Sequence, residues 1–197
     1  MINVAIFGPP GAGKGTQSKK LIQQYQLVHI ALGDLLREQI NKKTILGQQV
    51  AQYINAGKLA PHTLVIDIVE AQLAAHQHGD GFLLDGFPRT TTQAKALEER
   101  LVIGNMQMDA VILLEVPEEE LIQRIKARAK IARRVDDQDV EKIATRMRIY
   151  HEETVPVAQY YAQKNKLFRV DGVGAVDTIF ERIAAVMAQL PVVPSLK

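Results

Sequence analysis

The sequence predicts an α/β fold in which a parallel sheet of about five strands is flanked by helices. Three observations carry this. Short, near-continuous apolar runs recur along the 197 residues, segments of helical periodicity separate them, and a glycine-rich turn follows the first run and opens the next helix. A run that is apolar at every position suits a strand covered on both faces. A connection long enough to hold a helix returns the chain parallel to itself.

The elements follow in order. Ile2–Phe7 is the first strand, and a helix over 16–25 comes after the glycine turn. Val28–Ile30 is a shorter strand, followed by two helices, 33–42 and 45–56, with no strand between them. A helix over 62–77 leads to strand Gly81–Leu84, and one over 90–102 leads to strand Ala110–Val116. Helices over 118–129 and 138–163 precede strand Leu167–Val170, with Pro156 set to kink or divide the longer one. The last helix, 176–190, carries the cleanest stripe: Val176, Ile179, Phe180, Ile183, Ala184, Met187 and Leu190. On the helix after residue 138, Val140, Ile143, Ala144 and Met147 form the stripe expected to be buried, with Arg146 beside it.

The whole chain, 1–197, reads as one domain. Two stretches, 31–60 and 127–137, contain no strand of their own and read as insertions over the end of the sheet where ligands bind in such folds.

Composition removes several classes of function. With 47% hydrophobic residues the chain can bury a core, yet no apolar stretch approaches the roughly 18–20 residues that span a bilayer. The N-terminal segment lacks the pattern of a secretory signal. Zero cysteines exclude disulfides and Cys-ligated zinc and suit a reducing compartment, so a cytoplasmic protein is expected. A net charge of +2, with five Phe and five Tyr scattered, gives no footprint for nucleic acid. Nine Lys/Arg against four Asp/Glu between Arg124 and Arg148 point instead to a small, highly charged ligand or to a solvated helix face. His29, His62, His76, His78 and His151 show no metal-ligand spacing. All five read as surface or turn residues, and no zinc site is expected.

The strongest motif is Gly8-Pro9-Pro10-Gly11-Ala12-Gly13-Lys14-Gly15-Thr16. Its glycines let several backbone N–H groups face one anion, the helix N-terminus adds its dipole, and Lys14 supplies a mobile charge for β/γ phosphates. This is a P-loop with one departure: Gly15 stands where the general pattern puts the hydroxyl that binds magnesium, and Thr16 follows. A second motif ends a buried strand in a carboxylate and continues as Asp85-Gly86-Phe87-Pro88-Arg89-Thr90.

Together these two segments resemble the nucleoside-monophosphate kinases, and Gly-x-Pro-Gly-x-Gly-Lys-Gly-Thr resembles the adenylate kinase family in particular. The likeness runs through nearly the whole chain. It implies transfer of a phosphoryl group between ATP and AMP, giving ADP, with Mg²⁺ held beside Asp85 through water. It also implies that 31–60 is the monophosphate-binding insertion, that 127–137 is a short lid, and that the protein is a monomer. In that pattern Gly11, Ala12, Gly13, Lys14, Gly15, Thr16, Arg124, Arg128 and Gly174 hold ATP. AMP falls to Arg37, to Lys58, Leu59 and Ala60, to Gly86, Phe87, Pro88 and Arg89, to Gln93, and to Arg134 and Arg146. The charged set acting on the transferred group is Lys14, Arg89, Arg124, Arg128, Arg134 and Arg146.

The sequence departs from the family pattern in three further places. Ala31-Leu32-Gly33-Asp34 stands where Ser-Thr-Gly-Asp is usual, only five residues separate Arg128 from Arg134, and Arg134 to Arg146 spans one residue more than is common. Two alternatives remain open at this level. A UMP/CMP kinase of the same fold is disfavoured by Gln93. A nucleotide-binding switch is disfavoured because no Asn/Thr-Lys-x-Asp base-reading motif is present.

Overall fold

The computed structural model describes residues 1–76, 81–132 and 139–191. Five strands, β1 (Ile2–Phe7), β2 (Val28–Ala31), β3 (Gly81–Asp85), β4 (Ala110–Glu115) and β5 (Leu167–Asp171), form one sheet in the order β2-β3-β1-β4-β5. Every neighbouring pair is parallel. The helices are α1 (Lys14–Tyr25), α2 (Leu32–Asn41), α3 (Ile45–Asn55), α4 (His62–Ala75), α5 (Thr91–Ile103), α6 (Glu118–Ala132), α7 (Val140–Ile149), α8 (Val155–Ala162) and α9 (Val176–Met187).

β1 shows why both faces of the sheet are covered. Ile2, Val4 and Ile6 pack into one apolar cluster with α1, α6 and α9, while Ala5 and Phe7 pack into the other with α4, α5 and α8. Successive side chains of a strand point to opposite faces, so a strand buried on both sides must be apolar throughout. The chain goes to one side of β1 for β2 and β3 and then crosses to the other for β4 and β5. The crevice beyond the C-terminal end of β1 is therefore the switch point where open α/β sheets take ligands. The register places Ile6 beside Asp85, so the end of β3 borders the loop that leaves β1.

One expectation from the sequence is corrected and another is met. The stripe on α7 is not a buried one: Val140 is 77% exposed, Ala144 is exposed, Ile143 and Met147 are half-buried, and α7 has no buried residue. The long helix is divided next to Pro156, as expected, between α7 and α8. It passes through a π-helical turn, Tyr150–Thr154, just before the proline. Pro156 has no N–H to give the carbonyl four residues back. The chain widens by one residue instead, and the Val155 N–H donates to the Tyr150 carbonyl.

Candidate active site

A cleft of about 800 Å³ opens at the C-terminal ends of the strands. The loop from β1 to α1 forms its floor. Gly11 adopts φ +86°, and a Cβ there would lie 2.9 Å from the Leu121 carbonyl oxygen on α6, so neither the backbone angle nor the space admits a side chain. Gly11→Ala is expected to lower the melting temperature and to weaken triphosphate binding at least about tenfold, read by calorimetry on the folded variant.

Lys14 curls back beneath the loop, its Nζ donating to the carbonyls of Gly8 (2.7 Å) and Pro9 (3.0 Å). Burial pulls its pKa down to about 7. Asp85 opposes that shift, and the nearby Arg89, Arg146 and Arg128 guanidiniums reinforce it. Asp85 closes β3 at the cleft wall and accepts from Ser18 Oγ at 3.1 Å. Burial alone would push its carboxyl up. The adjacent His29 imidazole, the Lys14 ammonium and the Ser18 hydroxyl outweigh burial and hold it below the usual carboxylate range. His29 Nε2 lies 3.7 Å from Asp85 Oδ2, too long for a hydrogen bond but near enough for charge to act. His29 therefore belongs to the cleft, which corrects its reading as a surface residue. His62, His76 and His151 are exposed.

Among the described residues, Gln93, Gly86 and Thr154 hold Arg89. Its N–H donates to Gln93 Oε1 (2.7 Å), its Nε donates to the Gly86 carbonyl (2.8 Å), and its carbonyl accepts from Thr154 Oγ1 (3.2 Å) on the π turn. Thr90 caps α5 by accepting from the Gln93 N–H at 3.2 Å, which sets where that helix starts and where Gln93 points. Gln93 is 1% exposed and lines the cleft. Its oxygen keeps a second lone pair and its amide nitrogen two donors.

At one end Arg124 and Arg128, a helical turn apart on α6, face the same cleft. Arg124 pairs with Glu120 and donates to the Gly172 carbonyl at 3.0 Å, which ties α6 to the loop after β5. At the other end Arg37 pairs with Asp34 on α2, and Lys58, Leu59 and Ala60 follow α3. Gly57 lies against α7: a Cβ there would meet the Lys142 carbonyl oxygen and Arg146 Cγ, each at 3.1 Å. Arg146 enters the cleft across this contact.

The structure thus gathers Gly11 to Thr16, Arg37, Lys58 to Ala60, Asp85, Gly86, Arg89, Gln93, Arg124, Arg128, Arg146 and Gly174 around one cavity. Pro88 borders a smaller adjoining one. Phe87 does neither: it is 1% exposed in the core beside Phe7 and Leu84, so its side chain supports the turn rather than the cleft wall. Arg134 lies outside the described residues, as does the segment 127–137 from residue 133 onward; the part before it belongs to α6. Beyond the residues marked by motif, His29, Gln17 and Glu120 also line the cavity.

Among the described residues there is no group of three or more metal-ligating side chains. Asp85 lies in a cavity lined by cationic groups and also by Asp34 and Glu120, with Gly15 beside it, whose added Cβ would come within 3.9 Å of Asp85 Oδ2. That donor set fits a hydrated Mg²⁺ brought in by phosphates, not a cation caged by protein.

Comparison with known proteins agrees with this geometry. Residues 6–166 match the family profile described as adenylate kinase. Curated relatives named adenylate kinase include one from Porphyromonas gingivalis, 44% identical over 187 residues, covering 95% of this chain and 96% of the relative. One from Flavobacterium psychrophilum is 42% identical over 190 residues, covering 96% and 100%. Another, from Phocaeicola vulgatus, is 40% identical over 190 residues, covering 96% and 100%.

Proposed function

The chain belongs to the adenylate kinase family, and from that premise we propose how its own residues carry out the reaction. The enzyme is a phosphotransferase that moves the terminal phosphoryl group of ATP reversibly to AMP, giving two ADP. The observation that carries the assignment of sites is the single cleft in which a glycine-lined anion loop with Lys14 lies at one end and Arg37, Gln93 and Ala60 lie at the other.

Phosphoryl transfer passes through a loose, highly charged state, so the protein's task is alignment and charge stabilisation. In our reading the loop N–H groups and Lys14 hold the β and γ phosphates of ATP, with Arg124 and Arg128 beside them. Arg37 and Arg89 hold the AMP phosphate. Arg89, Arg146 and Arg134 converge on the transferring group, and Gln93 pairs with the AMP base while Lys58 to Ala60 lie against it. The AMP phosphate oxygen is already anionic, and no general base is assigned. Mg²⁺, when bound with ATP, neutralises phosphate charge, and Asp85, ionised at neutral pH, would hold its water ligands. Segments 31–60 and 127–137 are proposed to close and exclude water, the competing nucleophile. No helix among the described residues is long and apolar enough to cross a membrane. We propose a cytoplasmic monomer, a setting that the absence of cysteine suits.

³¹P NMR of ATP, AMP and Mg²⁺ with the enzyme tests the reaction: ADP is expected to appear without inorganic phosphate. A panel of AMP, UMP, CMP and GMP as acceptors tests the base. Preferred transfer to UMP or CMP would replace AMP as the assigned acceptor.

The depressed pKa of Lys14 makes a further prediction. A pKa lowered to about 7 leaves Lys14 with a proton to gain at neutral pH and above. Bound phosphates favour the ammonium and raise its pKa, so binding must take up a proton. Uptake is expected to be near zero at about pH 6 and to approach about one proton per ATP by about pH 8. Titration calorimetry in buffers of different ionisation enthalpy measures it, and uptake that fell as pH rose would contradict the assignment.

A further inference from the structure

Ser18 lies one turn into α1 and is fully buried. Serine is a mediocre residue for a helix interior, and alanine would fill such a position with no polar group to satisfy. The hydroxyl therefore calls for a reason. Among the described residues it makes no bond to its own helix, the usual resort of a serine there. Its Oγ donates instead to Asp85 Oδ2 at 3.1 Å, joining α1 to the end of β3.

Two positions of α1 face that oxygen. A Cβ on Gly15 would lie 3.9 Å from it, and Ser18, three residues on and on the same side of the helix, reaches it with a hydroxyl. His29 Nε2 stands 3.7 Å from the same atom. Oδ1 accepts no hydrogen bond among the described residues, and it is not enclosed. The Asp85 side chain is 14% exposed and lines the cleft. One oxygen is gripped and the other is offered to the cavity. Without the grip the carboxylate would turn easily, because the last torsion of an aspartate is broad and roughly two-fold.

We propose that Ser18 is a positioning residue for the metal-binding carboxylate: by holding Asp85 Oδ2 it keeps Oδ1 turned toward the water ligands of Mg²⁺. This rests on the reading above that Asp85 holds those waters. The general P-loop hydroxyl, which would bind the ion itself, is missing at Gly15. Three residues on, Ser18 supplies a hydroxyl that acts on the carboxylate instead. Charge is not what Ser18 contributes, so its loss should misdirect Asp85 without removing it.

The test measures how tightly Mn²⁺ binds the enzyme filled with a bisubstrate mimic, two adenosines bridged by five phosphates. Electron paramagnetic resonance of free Mn²⁺ reads it, with no turnover involved. Wild type, Ser18→Ala, Asp85→Asn and the double variant are compared. Ser18→Ala is expected to bind Mn²⁺ about tenfold more weakly, the usual loss when a partner of a metal-directed group is removed. Its affinity for the metal-free mimic should stay within about twofold of wild type. Ser18→Cys, of similar shape with a weaker donor, should fall between. In the Asp85→Asn background Ser18→Ala should add nothing, because its effect has no other route. Wild-type Mn²⁺ affinity in Ser18→Ala overturns the proposal. So does a loss undiminished in the Asp85→Asn background, or an equal loss for the metal-free mimic, since either marks Ser18 as packing alone. If Ser18→Ala fails to fold, Ser18→Cys decides: wild-type Mn²⁺ affinity there overturns the proposal. Unchanged Mn²⁺ binding in Asp85→Asn itself would instead remove the reading of Asp85, and the proposal with it.

Discussion

Arg89→Ala is expected to lower kcat by about 10³-fold or more while leaving the fold intact. The residue is placed by contacts that belong mainly to its backbone. The Arg89 N–H is held by Gln93 and its carbonyl by Thr154, and both survive truncation of the side chain. What truncation removes is a guanidinium held by the Gly86 carbonyl at the end of β3, bordering the same cavity as Lys14 and Arg146. A group fixed beforehand where charge is redistributed needs no reorganisation during transfer, which is why its loss is felt in kcat more than in affinity. Arg89→Lys keeps a charge but not the planar fork, and its activity is expected to lie between the two. Circular dichroism on heating should give a melting temperature close to wild type. A kcat within tenfold of wild type for Arg89→Ala would show that the arginine does not meet the transferring group.

How much of this could be read in the sequence differs between parts of the site. The strands of the sheet were legible because burial on both faces leaves nothing polar in Ile2, Val4, Ala5, Ile6 and Phe7 but Asn3, and the glycine loop because its chemistry needs a contiguous motif. α7 was not. Its apolar residues recur at helical spacing, yet the helix packs end to end with the π turn and crosses the cleft rim at Gly57, so periodicity marks no covered face there. His29 was missed for the opposite reason. It sits on a short edge strand whose neighbours Val28 and Ile30 look like core, and only pairing with β3 brings it to Asp85. A signal existed for Gln17: it occupies the face of α1 that continues through Leu21 and Tyr25, where a polar residue is buried with them. Helical spacing alone says that this face is inside. It does not say that a cavity reaches it.

Lys14→Met is expected to reduce kcat/KM for ATP by about 10³-fold or more, and Lys14→Arg to do little better. The second expectation follows from how the ammonium is housed. Nζ lies beneath the loop on the Gly8 and Pro9 carbonyls, with a Cβ on Gly8 already limited by the Leu114 carbonyl oxygen at 3.0 Å. A compact point charge with three rotatable donors fits that recess and can swing to a phosphate. A planar guanidinium is larger, stays charged and presents its donors in a fixed fork. Proton uptake separates loss of this charge from general damage. Methionine has no proton to take up, and arginine keeps its proton throughout. Both variants should therefore bind a triphosphate without the pH-dependent proton uptake of the wild type, whatever affinity they keep. If uptake persisted in Lys14→Met, the titrating group would lie elsewhere, and a phosphate-bound ammonium at the centre of the anion loop would have to be given up.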